Sequence, residues 1–239
     1  MDIASICETG GEENKHDSIG VLEDVHCACL AVADAKAGTA AAETVVSSFL
    51  MDFQASNAIT TSSMSEFFEN AQAKLIQCKE NGMDSAALHT AATVLFTDGN
   101  FAVWGHIGDS RLYHFKDNLI DEITPDHTAA YAAYEAGRIK YGKIAQRRMR
   151  SQLYRVLGDP ARFSPEVTAP TLVKPGESFL LCTDGFWEHV GVRQIERALK
   201  KSKNAEDWLA RMKKIIEKQI DKKGLRNSFD DYSAVAVKF

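Results

Sequence analysis

The sequence predicts a single domain, residues 1–239, in which β-strands and α-helices are mixed. Short apolar runs of strand length alternate with longer stretches whose apolar residues recur with helical spacing. Strands come first, followed by two long helices, a block of strands, more helices and a closing strand. Two apolar runs end on an aspartate, at Asp34 and Asp184, although these lie 150 residues apart. This shared feature indicates sheets that bring distant strands of one domain together.

Each element is predicted from its own pattern. Strands are predicted at apolar runs near Ala4–Cys7, Ser18–Leu22, His26–Ala33, Ala91–Phe96, Phe101–Ile107, Arg111–Phe115, Ser178–Thr183 and Tyr232–Phe239. Helices are predicted where apolar residues form one stripe, over Thr39–Phe53, over Met64–Cys78 and from the N-cap Asn204 to Ile220. The lysines around the last helix are interpreted as its solvated face rather than as a binding patch.

Composition excludes several classes of protein. The chain is 45% hydrophobic and 26% charged, which is ordinary for a globular protein, and its net charge of −5 predicts no nucleic-acid or membrane partner. The chain has no apolar stretch near the ~20 residues that span a bilayer, and its first residues do not resemble a signal peptide, so a cytoplasmic location is expected. The five cysteines lack zinc-site spacing and are expected to be free thiols.

Four aspartates stand at the ends of predicted strands. Asp34 and Asp184 follow apolar runs, Asp230 precedes one, and Asp17 stands at the start of another. Individually, each is as readily a turn or helix-cap residue. Together they form an all-oxygen ligand set that suits Mg²⁺ or Mn²⁺ and does not suit zinc. Two such ions would balance the charge and serve attack of water on a phosphoryl group.

Two further motifs lie in the middle of the chain. Gly108-Asp109-Ser110-Arg111 separates two predicted strands and is interpreted as a tight hairpin turn. Thr124-Pro125-Asp126-His127-Thr128 precedes a helical pattern and has the composition of a capping segment.

These motifs, in this order, resemble those of the metal-dependent serine/threonine protein phosphatases of the PPM type, the phosphatase 2C family, in its compact bacterial form. The resemblance covers nearly the whole chain. It rests on Asp34, on the Gly-Asp-Ser-Arg of residues 108–111, on Thr124-Pro-Asp-His127, on Leu153-Tyr-Arg-Val-Leu-Gly158, on Phe179-Leu-Leu-Cys-Thr-Asp-Gly-Phe-Trp187 and on Asp230-Asp-Tyr-Ser233.

The resemblance implies an α+β fold, a four-layer α-β-β-α sandwich with two packed, mainly antiparallel sheets flanked by helices. It implies hydrolysis of phosphoserine and phosphothreonine by a water activated between two Mn²⁺ or Mg²⁺ ions. Asp34 would bridge the ions and the Ala35 carbonyl would bind one of them. Asp184 and Asp230 would hold the other ion, and Asp17 would act through water. Asp126 would help to hold a weaker third ion.

The first motif departs from the family pattern. Glu12 stands where the family has a phosphate-binding arginine, and Lys15-His16-Asp17 replaces Asn-Glu-Asp. Lys36 replaces a side chain that in some members is a histidine near the leaving group. Lys15 and Lys36 are therefore the predicted cations for the substrate phosphate, and Lys36 is counted with Asp34 and Asp184 among the catalytic residues. Ordinary surface lysines are the alternative for both.

The departures leave a second function open, a pseudophosphatase that binds partners without turnover. Against it, the predicted metal ligands are all retained. The segment of about 128–150 resembles the family's mobile flap, and its basic residues are either a site for acidic partners or a solvated helix face. The expected partners are phosphorylated proteins, targets of a serine/threonine kinase, and the chain is expected to be a monomer.

Overall fold

Two antiparallel sheets lie face to face between two helical layers in the computed structural model, which describes residues 1–11, 16–25, 27–56, 58–146, 148–224 and 229–239. This arrangement confirms the predicted α+β fold with four α-β-β-α layers. Each pair of neighbouring strands in the described residues runs antiparallel.

The first sheet joins the two ends of the chain. Its strands follow the order β1-β11-β10-β6-β7. Their bounds are Asp2–Glu8 for β1, Tyr232–Lys238 for β11, Ser178–Cys182 for β10, Arg111–Lys116 for β6 and Leu119–Ile123 for β7. The central strands β10 and β11 are almost wholly buried, which explains their continuous apolar runs.

The second sheet has the order β2-β3-β4-β5-β8, and the short β9 also pairs with β5. The bounds are Asp17–Glu23 for β2, Ala28–Ala35 for β3, Thr90–Thr97 for β4, Phe101–Ile107 for β5, Glu166–Val167 for β8 and Thr171–Leu172 for β9. The strands β7, β8 and β9 were not predicted, because they are short and half-exposed and lack an apolar run.

Six α-helices are found in the described residues. Their bounds are Ala40–Ala55 for α1, Thr61–Glu80 for α2, Ala129–Glu135 for α3, Asp184–Trp187 for α4, Val192–Lys201 for α5 and Ala205–Lys223 for α6. The predicted N-cap of the last helix is confirmed, since the Asn204 side chain accepts a hydrogen bond from the Asp207 backbone N–H. Gly224 ends that helix at φ 67°, a left-handed conformation that favours glycine.

Three apolar clusters hold the layers together. Helices α1 and α2 cover the second sheet around Phe49, Phe68 and Phe96. Helices α5 and α6 cover the first sheet around Phe115 and Trp208. The third cluster lies between the sheets and contains residues of both, including Leu30, Trp104, Phe179 and Val235. Docking of the two sheets brings their strand ends to a common edge, where the predicted acidic residues stand.

The segment of about 128–150 is less helical than its pattern indicates. It contains α3 and two 3₁₀ turns, Tyr141–Gln146 and Arg148–Ser151.

The free cysteines are Cys7, Cys27, Cys29, Cys78 and Cys182, as expected. Among the described residues, no helix combines the length and the apolar character needed to cross a bilayer.

Candidate metal-dependent active site

An open cavity of about 690 Å³ lies at the edge where the two sheets meet. Asp34 and Ala35 reach it from β3, and Asp184 reaches it from the start of α4, just after β10. Asp230 reaches it from the turn before β11, and Asp109 from the hairpin between β5 and β6. Four carboxylates from distant parts of the chain therefore line one cavity.

A fifth carboxylate lies behind this wall. Asp17 and Asp34 are directly opposite each other in the antiparallel pair of β2 and β3. Like charges in this position repel and weaken the pairing of the strands. Asp17 is 2% exposed, and its Oδ2 accepts a hydrogen bond of 2.8 Å from the Thr183 hydroxyl of the other sheet. The strand pair thus places two carboxyl groups next to each other, one from each strand.

Asp231, the neighbour of Asp230, binds backbone groups of two residues near the start of β2. The carboxylate of Asp231 accepts hydrogen bonds of 2.5 Å from the backbone N–H groups of Gly10 and His16. A Cβ atom at Gly185 would overlap the carbonyl oxygen of Asp231, so the turn after β10 requires glycine there. This close approach places Asp184 beside Asp230.

Burial and mutual repulsion raise the pKa values of the acidic residues. Burial raises the pKa of Asp17 to about 7, with the charges of Asp184 and Asp231 adding to the effect. Burial, then the charge of Asp230, raises the pKa of Asp184 to about 6. Burial also raises the pKa values of Asp34 and Asp109 well above their usual range, and both respond to the charge of Asp184. The protein alone therefore does not stabilise these groups as carboxylates near neutral pH.

Asp109 is the carboxylate of the cavity that the sequence interpretation missed. The Gly108-Asp109 pair does form a tight connection, with Gly108 at φ +95° and without room for a Cβ beside Ala91. Asp109 is nevertheless buried and faces the cavity. Its position is held from behind, because the indole N–H of Trp187 donates to the backbone carbonyl of Asp109 at 2.9 Å. The sequence feature that could have identified Asp109 as a site residue is an acidic side chain in a turn between two buried strands.

Asp126, by contrast, is already paired. Its two carboxylate oxygens accept hydrogen bonds of 2.6 Å from Nε and Nη2 of Arg111, and both side chains are buried. The guanidinium of Arg111 also stacks over the Trp187 ring at 3.5 Å. Asp126 is therefore an anchor for Arg111 in this structure, and binding of a cation by Asp126 stays a prediction.

Two basic side chains and a histidine also line the cavity. Lys36, His89 and Arg162 line it together, and the Arg162 guanidinium contacts the His89 ring. Burial, followed by the charge of Arg162, lowers the pKa of His89, so this ring is neutral at pH 7. Of the two predicted phosphate-binding lysines, Lys36 reaches the cavity, whereas Lys15 lies outside the described residues. Glu12 also lies outside them.

The 3₁₀ turn Arg148–Ser151 contributes one more cation. Nη1 of Arg150 lies 3.3 Å from Oδ2 of Asp184 and also contacts Glu188. In the sequence Arg150 belonged to a basic cluster whose simplest interpretation was a solvated face. The structure instead places it against a predicted metal ligand.

A separate group of His106, His127 and Glu166 brings its potential ligand atoms within 4.8 Å of one another. These atoms have other partners. Nε2 of His106 bonds the Pro125 carbonyl oxygen at 2.8 Å, and Glu166 accepts a hydrogen bond of 2.6 Å from Arg155. Because Nδ1 of His127 accepts from the Gly108 N–H, the group supports the turn that carries Asp109.

Comparison with known proteins gives three results. The family model described as Protein phosphatase 2C matches residues 9–230. The serine/threonine protein phosphatase PstP of Mycobacterium tuberculosis is 31% identical over 120 residues, which are 48% of this chain and 22% of PstP. The serine/threonine phosphatase stp of Listeria monocytogenes is 25% identical over 130 residues, 53% of this chain and 50% of that protein. The aligned parts thus span half or less of these two relatives.

Solved structures agree in fold over nearly the full chain. The serine/threonine phosphatase of S. agalactiae has a TM-score of 0.83 at 16% identity, with 100% of this chain and 99% of that chain covered. The catalytic domain of PstP in complex with two manganese ions has a TM-score of 0.77 at 21% identity, with 98% and 96% covered. At these identities the likeness establishes the fold alone.

Proposed function

Because the chain belongs to the protein phosphatase 2C family, we propose that it hydrolyses phosphoserine and phosphothreonine in proteins with the help of Mn²⁺ or Mg²⁺. One observation carries the proposal: four carboxylates line a single cavity, with Asp17 behind them. No observation favours a pseudophosphatase, since Asp34, Asp184 and Asp230 are all retained and face the same space.

The residues present fit divalent ions of this kind. Their donors are all oxygens, the preference of hard cations, and the raised pKa values show that the protein by itself leaves their charge unbalanced. Asp34 would be shared between two ions, with the Ala35 carbonyl on one of them and Asp184 and Asp230 on the other. Asp17 would act from behind through water. When bound, such ions activate water and neutralise the phosphoryl oxygens.

The chain's own cations would orient the substrate. Lys36 and Arg162 line the same cavity as the carboxylates, so a phosphate bound there would meet positive charge from this chain as well as from the ions. Lys36 therefore remains the proposed catalytic lysine, and Lys15 a further candidate. Arg150 belongs to the segment of about 128–150, the proposed flap, and lies beside Asp184. It would limit the access of substrate to the cavity.

Asp109 is better placed than Asp126 to hold a further, weaker ion. Asp109 faces the cavity and senses the charge of Asp184, whereas both oxygens of Asp126 are bound to Arg111. Asp109→Asn should therefore weaken binding of an additional ion while Asp34 and Asp184 retain theirs. A titration with Mn²⁺ that counts bound ions would show the difference.

The finer assignments follow from the same proposal. Residues 1–239 would act as one catalytic domain and as a monomer, on proteins phosphorylated by a serine/threonine kinase, in a signalling role. The free thiols support a cytoplasmic location.

The test compares turnover of a small aryl phosphate and of a phosphothreonine peptide with and without Mn²⁺. Asp34→Asn should lower kcat on the order of 10³-fold or more, because loss of an ion removes several kcal/mol of transition-state stabilisation. Asp24→Asn, an exposed aspartate beyond the end of β2, is the matched control and should leave kcat unchanged. Full activity in excess chelator would refute the proposal.

A further inference from the structure

A second concave surface lies between α5 and α6, on the helical layer that covers the first sheet. This α5–α6 groove has a volume of about 480 Å³. Its charged lining consists of Arg197 and Lys201 from α5 and of Asp207, Arg211, Lys214 and Lys218 from α6. Five cations and one carboxylate thus surround one groove, although the chain as a whole has a net charge of −5.

The cations form two facing stripes. Arg197 and Lys201 are four residues apart, as are Lys214 and Lys218, so each pair projects from one face of its helix. Arg211 is paired with Asp207 at 3.0 Å. Within the part of the chain that the structure describes, no ion pair is found for the other four cations. A merely solvated helix face usually interleaves both signs of charge. Here like charges face each other across a concavity, and an anion in it would relieve their repulsion.

We propose that the α5–α6 groove binds an acidic segment of the phosphoprotein substrate; this inference rests on the proposed function and adds a substrate preference to it. Three apolar residues, Ala198, Ala210 and Ile215, also line the groove. A helix of ten residues such as α5 is about 15 Å long, which matches four or five residues of extended peptide. The acidic balance of the chain disfavours a flat anionic membrane or a long nucleic acid, both of which would meet the surrounding negative charge.

The groove adjoins a second cavity, and one residue of that cavity's wall contacts the acidic site. Gln194, in the first turn of α5, lines both the groove and a neighbouring cavity of about 590 Å³. Arg111 and Trp187 lie in the wall of that second cavity, and Trp187 donates its hydrogen bond to the carbonyl of Asp109. A substrate whose acidic residues occupy the groove would have to cross this second cavity to place its phosphate at the acidic site. The preferred acidic residues would stand several positions from the phosphorylated residue.

The test uses two phosphothreonine peptides that differ only in an acidic tract, and the unphosphorylated acidic peptide as a binding probe that needs no turnover. The groove variant is Arg197→Glu with Lys214→Glu. The control is Lys79→Glu with Lys174→Glu, which changes the net charge equally at exposed lysines outside the groove. Circular dichroism and thermal melting confirm that both variants fold.

The groove variant should bind the acidic probe about tenfold more weakly by fluorescence anisotropy and raise KM for the acidic peptide by about the same factor, an effect that high salt reduces. Its KM for the neutral peptide and its kcat on an aryl phosphate should not change. Equal losses in the control, or unchanged affinity in the groove variant, would overturn the proposal. The proposal would also be overturned if the unaltered protein bound an oligonucleotide or anionic lipid vesicles more tightly than the acidic peptide, and if the groove variant abolished that binding. If the unaltered protein lacks metal-dependent turnover, the proposed function fails, while the anisotropy result still decides on the groove.

Discussion

Replacing Asp17 by asparagine should stabilise the metal-free protein at pH 8. Asp17 is buried, lies directly opposite Asp34 in the strand pair and feels the charge of Asp184, and together these effects raise its pKa to about 7. Keeping it ionised above that pH is therefore costly. An asparagine side chain at this position has the same shape, carries no charge and can still accept the hydrogen bond from Thr183.

The size of the effect follows from the pKa. A rise from 3.8 to about 7 corresponds to about 4 kcal/mol of lost stability, at ~1.36 kcal/mol for each pKa unit. Some of this repulsion also involves Asp34 and Asp184, and an amide accepts a weaker hydrogen bond than a carboxylate does. We therefore expect a gain of about 2 kcal/mol in the free energy of unfolding, or roughly 4–8 °C in Tm for a domain of this size.

The sign of the pH dependence is specific. Because the pKa of Asp17 is higher in the folded state, the folded protein binds more protons than the unfolded chain between about pH 4 and pH 7. The stability of the metal-free protein should therefore fall as pH rises through this window, and Asp17→Asn should reduce that fall. The two proteins should have similar stability near pH 4, where Asp17 is largely protonated in the folded state and the cost of its charge is absent.

Urea unfolding with a chelator present, at several pH values, measures these differences. Glu23→Gln at the exposed end of the same strand is the control and should change stability by less than about 0.5 kcal/mol. Added Mn²⁺ should reverse the order, because the unaltered protein gains more from the ion. A variant that is less stable than the unaltered protein at pH 8 without metal would refute the reasoning.

Two other substitutions test the surroundings of the site. Arg111→Met should lower the free energy of unfolding by about 3–5 kcal/mol, because it leaves the buried Asp126 unpaired. Adding Asp126→Leu should recover part of this loss, measured by urea unfolding. If the single variant is as stable as the unaltered protein, the pair is solvated. Gly185→Ala should lower both the Tm and the affinity for Mn²⁺, each measured by calorimetry. The added Cβ would overlap the carbonyl oxygen of Asp231 and displace the segment that carries the proposed metal ligands. An unchanged affinity would show that this segment adapts.

The sequence predicted the strands that build the site better than the partners of its side chains. Asp34 and Asp184 were found because a long apolar run stops at each of them, a signal that depends only on local burial. The helices over 40–55 and 61–80 agree closely with the predicted Thr39–Phe53 and Met64–Cys78 for the same reason.

Asp109 and Asp126 show the limit of this approach. Both stand in turns, and the sequence does not tell which acid faces the cavity and which pairs with Arg111. That choice depends on Trp187, which lies some 76 residues after Arg111, holds the Asp109 carbonyl and supports the guanidinium. Arg150 was likewise seen as one member of a basic cluster, because its contact with Asp184 exists only after the segment folds over the sheet edge.

The carboxylates come from opposite halves of the sandwich, Asp17 and Asp34 from one sheet and Asp184 and Asp230 from the turns of the other. Ions held by Asp34 from one sheet and by Asp184 and Asp230 from the other would cross-link the two layers. Ion release and separation of the layers are then linked equilibria, and saturation at 100 times the Kd would oppose layer opening by about 2.7 kcal/mol. Amide hydrogen exchange in β3 and β10 should consequently slow together on ion binding. The fraction of protein with bound metal would then determine how often the interior between the sheets becomes exposed to solvent.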